Sequence, residues 1–446
     1  MISRRMFLSS AAAPAFLQNR RPNVIVILTD DQGYHDLGCQ GAADLKTPHI
    51  DALAASGIRF TDWYSNAPMC APSRAALMTG RYPIRAGVPQ NGPALPDHEV
   101  TLARLLKDAG YSTAILGKWH LGSTNNTAPT SRGFDSFYGF HSGCIDYYSH
   151  RFYWGDPKIV NYHDLWRNRE EVFEDGEYFT SLMTREAREF LGSRREPFFL
   201  YLAYNAPHYP MHAPKRYVER FANIDPERCM YAAMLAAVDD SIGEIVETLR
   251  RNGQLENTLI FFAADNGATR EARAGLDQQS AHGGSNAPLR GFKFSLFDGG
   301  IRVPAILSWP AAVPAGRVTV EVGAHFDILP TVSKAAGVAL PTGRTIDGRD
   351  MLPVVTMDAE SPHETLFWAS GGQQAARRGR WKLVLNGMTA DGPRAAETRL
   401  VGDDAVFLSD IVDDPAESQN LRQRDPAVVE ELTAAIKQWS EQVRQA

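Results

Sequence analysis

Cysteine is scarce in this sequence: four residues in 446, at positions 39, 70, 144 and 229, with no C-x-x-C pair among them. A zinc ribbon or a thioredoxin-like redox site is thereby excluded. Nor is there an excess of positive charge. The net charge is -6, with 46 lysines and arginines against 52 aspartates and glutamates, which argues against a nucleic-acid binder. A protein of this sign that handles an anion must concentrate its cations in one pocket. Beyond the N-terminal tail no segment is a candidate for a membrane-spanning helix. Internal repeats and low-complexity linkers are absent too. What is present is a chain with 44% hydrophobic and 22% charged residues, enough for a large core and a second, smaller domain.

The N-terminus reads Ser3-Arg4-Arg5-Met6-Phe7-Leu8, then a run of small residues to Leu17 that includes Ala13-Pro14-Ala15. Two arginines, a short apolar stretch and an A-x-A site resemble a twin-arginine export signal. Export to the periplasm or the extracellular space is therefore expected. Loss of residues 1–15 would remove two arginines and no acid, leaving a charge of about -8. If Cys70 is converted chemically, three thiols remain and at most one disulfide can form.

Along the chain, apolar runs alternate with amphipathic segments. Asn23 to Thr29 is a continuous aliphatic run ending in Asp30-Asp31, as expected of a strand buried on both faces. Thr47-Pro48 starts a helix closed by Gly57, and Phe60 to Tyr64 is a weaker strand. Thr101 caps a helix through Leu102, Leu105 and Leu106, ending at Gly110. Tyr111 to Leu116, Phe198 to Tyr204, Leu259 to Ala264 and Val303 to Ser308 read as further strands, with a long helix from about Pro226 to Asn252. The pattern predicts an α/β fold with a large, mostly parallel sheet between helices. From about Arg344 the texture changes to short strands (Thr365 to Trp368, Trp381 to Leu385, Ala405 to Leu408) and a final helix from Pro426 to Gln445. A small antiparallel sheet with one packed helix is expected there.

Polar chemistry follows the strands: Asp30, Lys118, His208 and Asp265 each stand just past an apolar run. In open α/β sheets, sites gather at the carboxyl ends of strands. Asp30-Asp31 and Asp265-Asn266 offer hard oxygen ligands suited to Ca²⁺ or Mg²⁺ rather than zinc. Between them lies Cys70-Ala71-Pro72-Ser73-Arg74, followed by an apolar stretch to Thr79 and then Gly80. Ser73 and Arg74 are expected to open a helix with Gly80 as its C-cap. Cys70 would then sit just before a helix N-terminus, where free N–H groups favour an anion. Arg74, one turn on, can fork two hydrogen bonds onto an oxyanion.

The C-x-P-S-R segment resembles the signature of the type I sulfatases, within the alkaline phosphatase superfamily. Gly110-Tyr111-Ser112-Thr113-Ala114-Ile115-Leu116-Gly117-Lys118-Trp119-His120 resembles the second signature of that family, with Leu116 in place of a smaller or β-branched residue. Asn286 to Lys293 and Asp298 to Pro304 resemble a further family stretch. There Asp298 stands where glutamate is more common and Phe292 where glycine is common, while Lys293 is in place. The likeness covers about residues 22–310 in five motifs, in the family's order. With the twin-arginine pattern and the change of texture at Arg344, the chain divides into an export signal over 1–20, a catalytic domain over 21–343 and a C-terminal subdomain over 344–446, the last carrying little of the likeness. The likeness implies sulfate ester hydrolysis, with Cys70 oxidised to Cα-formylglycine by a formylglycine-generating or anaerobic maturase. One Ca²⁺ (Mg²⁺ the lesser alternative) would be held by Asp30, Asp31, Asp265, Asn266 and the modified Cys70.

In the implied mechanism one hydroxyl of the formylglycine hydrate attacks sulfur in line. Lys118, Lys293 and Arg74 neutralise the sulfuryl oxygens, and His208 or Lys293 protonates the leaving oxygen. The second hydroxyl then expels sulfate, with His120 as candidate base. A further sulfate contact falls in Gly139–Ser149, where Ser142 and Ser149 compete. Residues 147–166 are rich in rings, with Arg151, His150 and Arg167 near them. Tyr147, Tyr148, Phe152, Tyr153, Trp154, Tyr162 and Trp166 would either line a sugar cleft or pack onto the core. Trp154 is the ring expected to touch sugar. A sulfated poly- or oligosaccharide is the expected substrate. The alternatives are a phosphonate or phosphodiester hydrolase, an arylsulfatase acting on small aryl sulfates, and a silent glycan-binding homologue whose Cys70 stays unmodified.

Overall fold

The computed structural model describes residues 20–153, 158–193, 197–276 and 279–444. The expected export signal, but for Arg20, and Trp154 lie outside them. The strands are β1 (Asn23–Thr29), β2 (Ile58–Phe60), β3 (Trp63–Tyr64), β4 (Ser112–Lys118), β5 (Ser136–Phe140), β6 (Trp166–Arg167), β7 (Glu170–Glu171), β8 (Phe198–Ala203), β9 (Thr258–Ala264), β10 (Ala305–Ser308), β11 (Arg317–Thr319), β12 (Gly323–Ala324), β13 (Thr365–Ser370), β14 (Gln373–Arg378), β15 (Trp381–Leu385) and β16 (Val406–Asp410). Ten of them form one sheet in the order β11-β2-β10-β9-β1-β8-β4-β5-β6-β7. Its centre, β9-β1-β8-β4-β5, is parallel, and antiparallel pairs flank it on both sides.

The continuous apolar runs have a physical cause. All seven residues of β1 are buried. Ile25 and Ile27 face one core layer, with Met183 and Ala187 of the helix Phe179–Ser193 and Leu235 and Ile242 of the helix Pro226–Arg251. Val24, Val26 and Leu28 face the other, with Ala71, Ala75 and Met78 of the helix Cys70–Thr79. A strand covered on both faces cannot alternate polar and apolar residues. Each side chain so buried contributes about 1.5–3 kcal/mol.

The structure shifts several expected boundaries. The helix after Met69 begins at Cys70 itself, not at Ser73, so Cys70 is its first residue. The strand expected over Phe60 to Tyr64 is two strands, β2 and β3, separated by Thr61-Asp62. The Thr47-Pro48 helix ends at Ala55, where Ser56 caps it before Gly57. Its Thr47 makes no capping bond and instead donates to Asp51 Oδ1 at 3.0 Å. The C-terminal region is a four-stranded antiparallel sheet, β13-β14-β15-β16, with the helix Pro426–Arg444 against it. It shares one hydrophobic cluster with the main body, in which Trp368, Leu366 and Trp439 meet Tyr64, Tyr82, Phe297 and Phe326. All four cysteines are free. No helix among the described residues is long and apolar enough to cross a membrane.

Candidate active site

The parallel strands deliver their polar ends to one place. β1 ends in Asp30 and Asp31, β4 in Lys118, and β9 runs into Asp265 and Asn266; His208 follows β8 in the next turn. Gly117 is required here. Its φ is +107°, and a Cβ would stand 2.0 Å from the carbonyl oxygen of Ala203 on β8. Asp31 and His120 adopt left-handed φ values of 59° and 56°, rare for residues with side chains. Such strain concentrates where the surroundings fix a side chain's direction.

Ligand atoms of Asp30, Asp31, Cys70 and His208 all lie within 4.8 Å of one another, and all four residues are buried. Cys70 Sγ is 3.5 Å from Asp30 Oδ1. Lys118 Nζ donates to Asp30 Oδ2 at 2.5 Å. Lys293 Nζ donates to Asp31 Oδ2 at 2.8 Å and lies 3.4 Å from both Glu271 Oε2 and His208 Nε2. The expected ligands Asp265 and Asn266 adjoin this cluster. Asp265 Oδ1 accepts the Asp31 backbone N–H at 3.2 Å, and Asn266 Nδ2 donates to Asp31 Oδ1 at 2.7 Å.

Arg74 is engaged with the carboxylates of the site: Nε and Nη2 donate to Asp265 Oδ2 at 3.2 and 2.8 Å, and Nη2 lies 3.3 Å from Asp30 Oδ2. The side chain is fully buried, and Arg74 is not among the residues that line the cavity above Cys70.

Burial would raise Asp30, but Lys118, Arg74 and Lys293 outweigh it and hold the carboxyl below its ordinary range. Burial pushes Asp31 up to about 7; Lys293 opposes this while Asp30 and Asp265 add to it. Burial, then Asp30, raises the Cys70 thiol, so an unmodified thiolate is disfavoured. Burial and nearby cations, Lys118 for one and Lys293 for the other, hold His120 and His208 well below the ordinary histidine range. His208 Nδ1 lies 2.8 Å from the Tyr209 carbonyl, so it must be the N–H donor and Nε2 the lone-pair side.

The donor set fits a hard divalent cation. Asp30, Asp31 and Asp265 are balanced by Lys118, Lys293 and Arg74, yet the amide oxygen of Asn266 is buried with no partner. An orphaned oxygen beside crowded carboxylates is the signature of an oxygen-ligand site. A divalent ion there would leave the group net positive, the right sign for a sulfate ester.

Above Cys70 opens a cavity of about 780 Å³. Cys70, His120, His208 and Lys293 line its inner end, with Ser142 in the wall. Ser142 Oγ donates to the Cys144 carbonyl at 3.1 Å. Ser149 is turned away onto Asp146 Oδ1 at 3.0 Å and does not line the cavity. The ring-rich segment divides. Tyr147 and Tyr148 pack with Tyr178 in the core, and the Tyr147 hydroxyl donates to the His208 carbonyl at 2.9 Å. Phe152 and Tyr162 stack at 5.1 Å between centroids and, with Trp166, line the cavity. Sequence reasoning missed Asp164, Glu271 and Arg273, which share this wall. They lie in irregular loops where neither periodicity nor a motif marks them.

A family model described as Sulfatase matches residues 22–338. The chain is 35% identical over 388 residues to N-acetylgalactosamine-6-sulfatase of Mus musculus, covering 82% of this chain and 72% of that protein. It is 33% identical over 472 residues to arylsulfatase A of Bos taurus, covering 97% and 89%. Among solved structures, Ps i-CgsB in complex with k-i-k-neocarrahexaose is 34% identical, with a TM-score of 0.82 over 94% of this chain and 93% of that one.

Proposed function

The chain belongs to the sulfatase family of the alkaline phosphatase superfamily and is a sulfuric ester hydrolase, and from that premise we propose that it is exported and removes sulfate from a sulfated oligo- or polysaccharide. The observation that carries the saccharide reading is the cavity itself. At about 780 Å³, with the stacked pair Phe152 and Tyr162 and with Trp166 in its wall, it has room and ring surface for pyranose units beyond the ester. A similar protein, Ps i-CgsB, has been captured with a neocarrahexaose. The relatives named above are sulfatases, which sets sulfate esters ahead of phosphonates and phosphodiesters.

In this reading Cys70, once converted to formylglycine by a maturase, supplies the nucleophilic oxygen; Asp30, Asp31, Asp265 and Asn266 would hold a Ca²⁺, which would lower the cost of charge beside it. Arg74 and Lys118 hold Asp265 and Asp30 at fixed positions. Lys293 and His208 face the ester. Because His208 Nε2 is the lone-pair side, it accepts from Lys293, and the proton for the leaving oxygen comes from Lys293 Nζ. His120 lines the cavity and is the residue assigned as base for the second half-reaction. Ser142 is the serine assigned to the sulfate wall.

The test is sulfate release from a panel of sulfated oligosaccharides, alongside an aryl sulfate, with mass analysis of the Cys70 peptide. Turnover of a saccharide, lost in Cys70→Ala and on chelation and restored by Ca²⁺, is the expected result. Turnover of the aryl sulfate alone would overturn the substrate reading, and an active protein with an unmodified Cys70 would overturn the nucleophile.

A further inference from the structure

Asp164 is 2% exposed and forms part of the cleft wall. Its Oδ2 accepts the backbone N–H of Ser142 at 2.9 Å. Its Oδ1 accepts the backbone N–H of His141 at 3.3 Å and the indole Nε1–H of Trp166 at 2.8 Å. Its own N–H donates to the His150 carbonyl at 2.9 Å. A buried carboxylate without a cation is unfavourable unless N–H donors take its lone pairs, and three do so here. An amide at this position would offer a single oxygen and turn an NH₂ group toward groups that are themselves donors.

The groups it joins come from two neighbouring elements of the cleft wall. Ser142 and His141 form the turn after β5; Trp166 is the first residue of β6. Backbone pairing holds the Trp166 main chain on both sides, opposite Gly139 of β5 and Glu171 of β7, but Gly139 has no side chain to brace the ring. The His141 ring packs against Trp166 at 5.6 Å and against Phe137 at 5.0 Å, so the turn and the indole are in contact.

We propose that Asp164 is a positioning residue for the leaving saccharide: its carboxylate sets the spacing between the Ser142 turn and the Trp166 ring, so that a pyranose unit stacks on the indole while its sulfate lies over Cys70. This rests on the saccharide reading above. Remote binding energy of this kind lowers the barrier at the reacting centre only while the two contacts keep their spacing.

Three variants test it: Asp164→Asn, Trp166→Phe, which keeps a ring but removes the N–H, and the double variant. Each single change should lower kcat/KM for the sulfated oligosaccharide about tenfold relative to kcat/KM for an aryl sulfate, with kcat falling as well as KM rising. The double variant should lose no more than Asp164→Asn alone, because both changes break one contact. Losses that multiply, or equal losses on both substrates, would overturn the proposal. If Asp164→Asn does not fold, Trp166→Phe decides: unaltered saccharide kinetics would overturn it. An enzyme whose unmutated form cleaves no saccharide would instead overturn the substrate reading, a separate result.

Discussion

Arg74 shows how one side chain can support a site without touching what the site binds. Its guanidinium forks onto Asp265 and reaches Asp30, joining the strand ends of β9 and β1 across the floor of the cavity. Lysine carries the same charge but has one nitrogen, so it cannot reproduce the paired Nε and Nη2 donation onto Asp265 while Nη2 also approaches Asp30. Arg74→Lys should therefore cost stability on the order of 2 kcal/mol in chemical denaturation, since one buried acid loses its partner. It should also move the Ca²⁺ dependence of activity to higher concentration, because Asp265 is no longer held. A variant with the unfolding midpoint and Ca²⁺ dependence of the parent would show that Arg74 acts elsewhere. The sequence motif placed Arg74 one turn beyond Cys70, but not the carboxylates on which its fork is spent, because those come from other strands.

At the level of elements, the parallel core was legible because burial on both faces leaves unbroken apolar runs, and β1 and β15 were read with the bounds they have. The acids and cations past those runs were legible for the same reason: a polar residue directly after such a strand stands at the sheet's carboxyl edge. β5 and β14 were not read. Ser136-Phe-Tyr-Gly-Phe contains a glycine at φ +155° that a strand pattern does not favour, and Gln373-Gln-Ala-Ala-Arg-Arg resembles a helix in composition. The helix Phe179–Ser193 was also missed, although Phe179, Leu182, Met183, Ala187, Phe190 and Leu191 keep its period. Asp164 could not be found from sequence at all, since its three donors come from a turn and a two-residue strand. Gly117 tests the link from element to site. Gly117→Ala would press a methyl group into the Ala203 carbonyl and force a positive φ on alanine. A loss of on the order of 2 kcal/mol or more is expected, with β4 displaced from β8. Activity should fall further than the loss of folded protein explains, because Lys118 is the next residue; activity that tracks the folded fraction would refute that coupling.

For the molecule as a whole, the question is what joins the C-terminal sheet to the body that carries the site. Beneath their shared apolar cluster lies a buried ionic one. Lys382 of β15 donates to Asp298 Oδ1 at 2.6 Å and is 3.3 Å from Glu417 Oε1, while Glu417 Oε2 accepts the Asp298 backbone N–H at 2.6 Å. All three side chains are fully buried. Asp298 also accepts from the Tyr64 hydroxyl at 3.0 Å, which gives a reason for the shorter acid where glutamate is common: the space of one methylene is already taken. Two acids share one lysine, and they respond in opposite ways. Burial would raise Asp298, but Lys382, Arg302 and Arg377 outweigh it and lower it to about 2. Burial raises Glu417 to about 7, with Lys382 opposing and Asp298 adding. The folded state thus binds a proton at Glu417 that the unfolded chain, with an ordinary glutamate, has released. Its contribution to stability is complete below the unfolded value of about 4.5 and is lost as pH rises through about 7. The Asp298 contribution runs the other way, present above about 3.8 and lost only as pH falls through about 2. Between pH 5 and pH 8 the Glu417 term therefore decides. Glu417→Gln keeps an oxygen for the Asp298 N–H and carries no charge, so relative to the parent it should gain stability on the order of 1–2 kcal/mol on going from pH 5 to pH 8. Urea unfolding of both proteins across that window measures the difference directly, and other titrating groups cancel in the comparison. Parallel stability curves would mean that Glu417 is ionised at both pH values, with Lys382 sufficient for both acids.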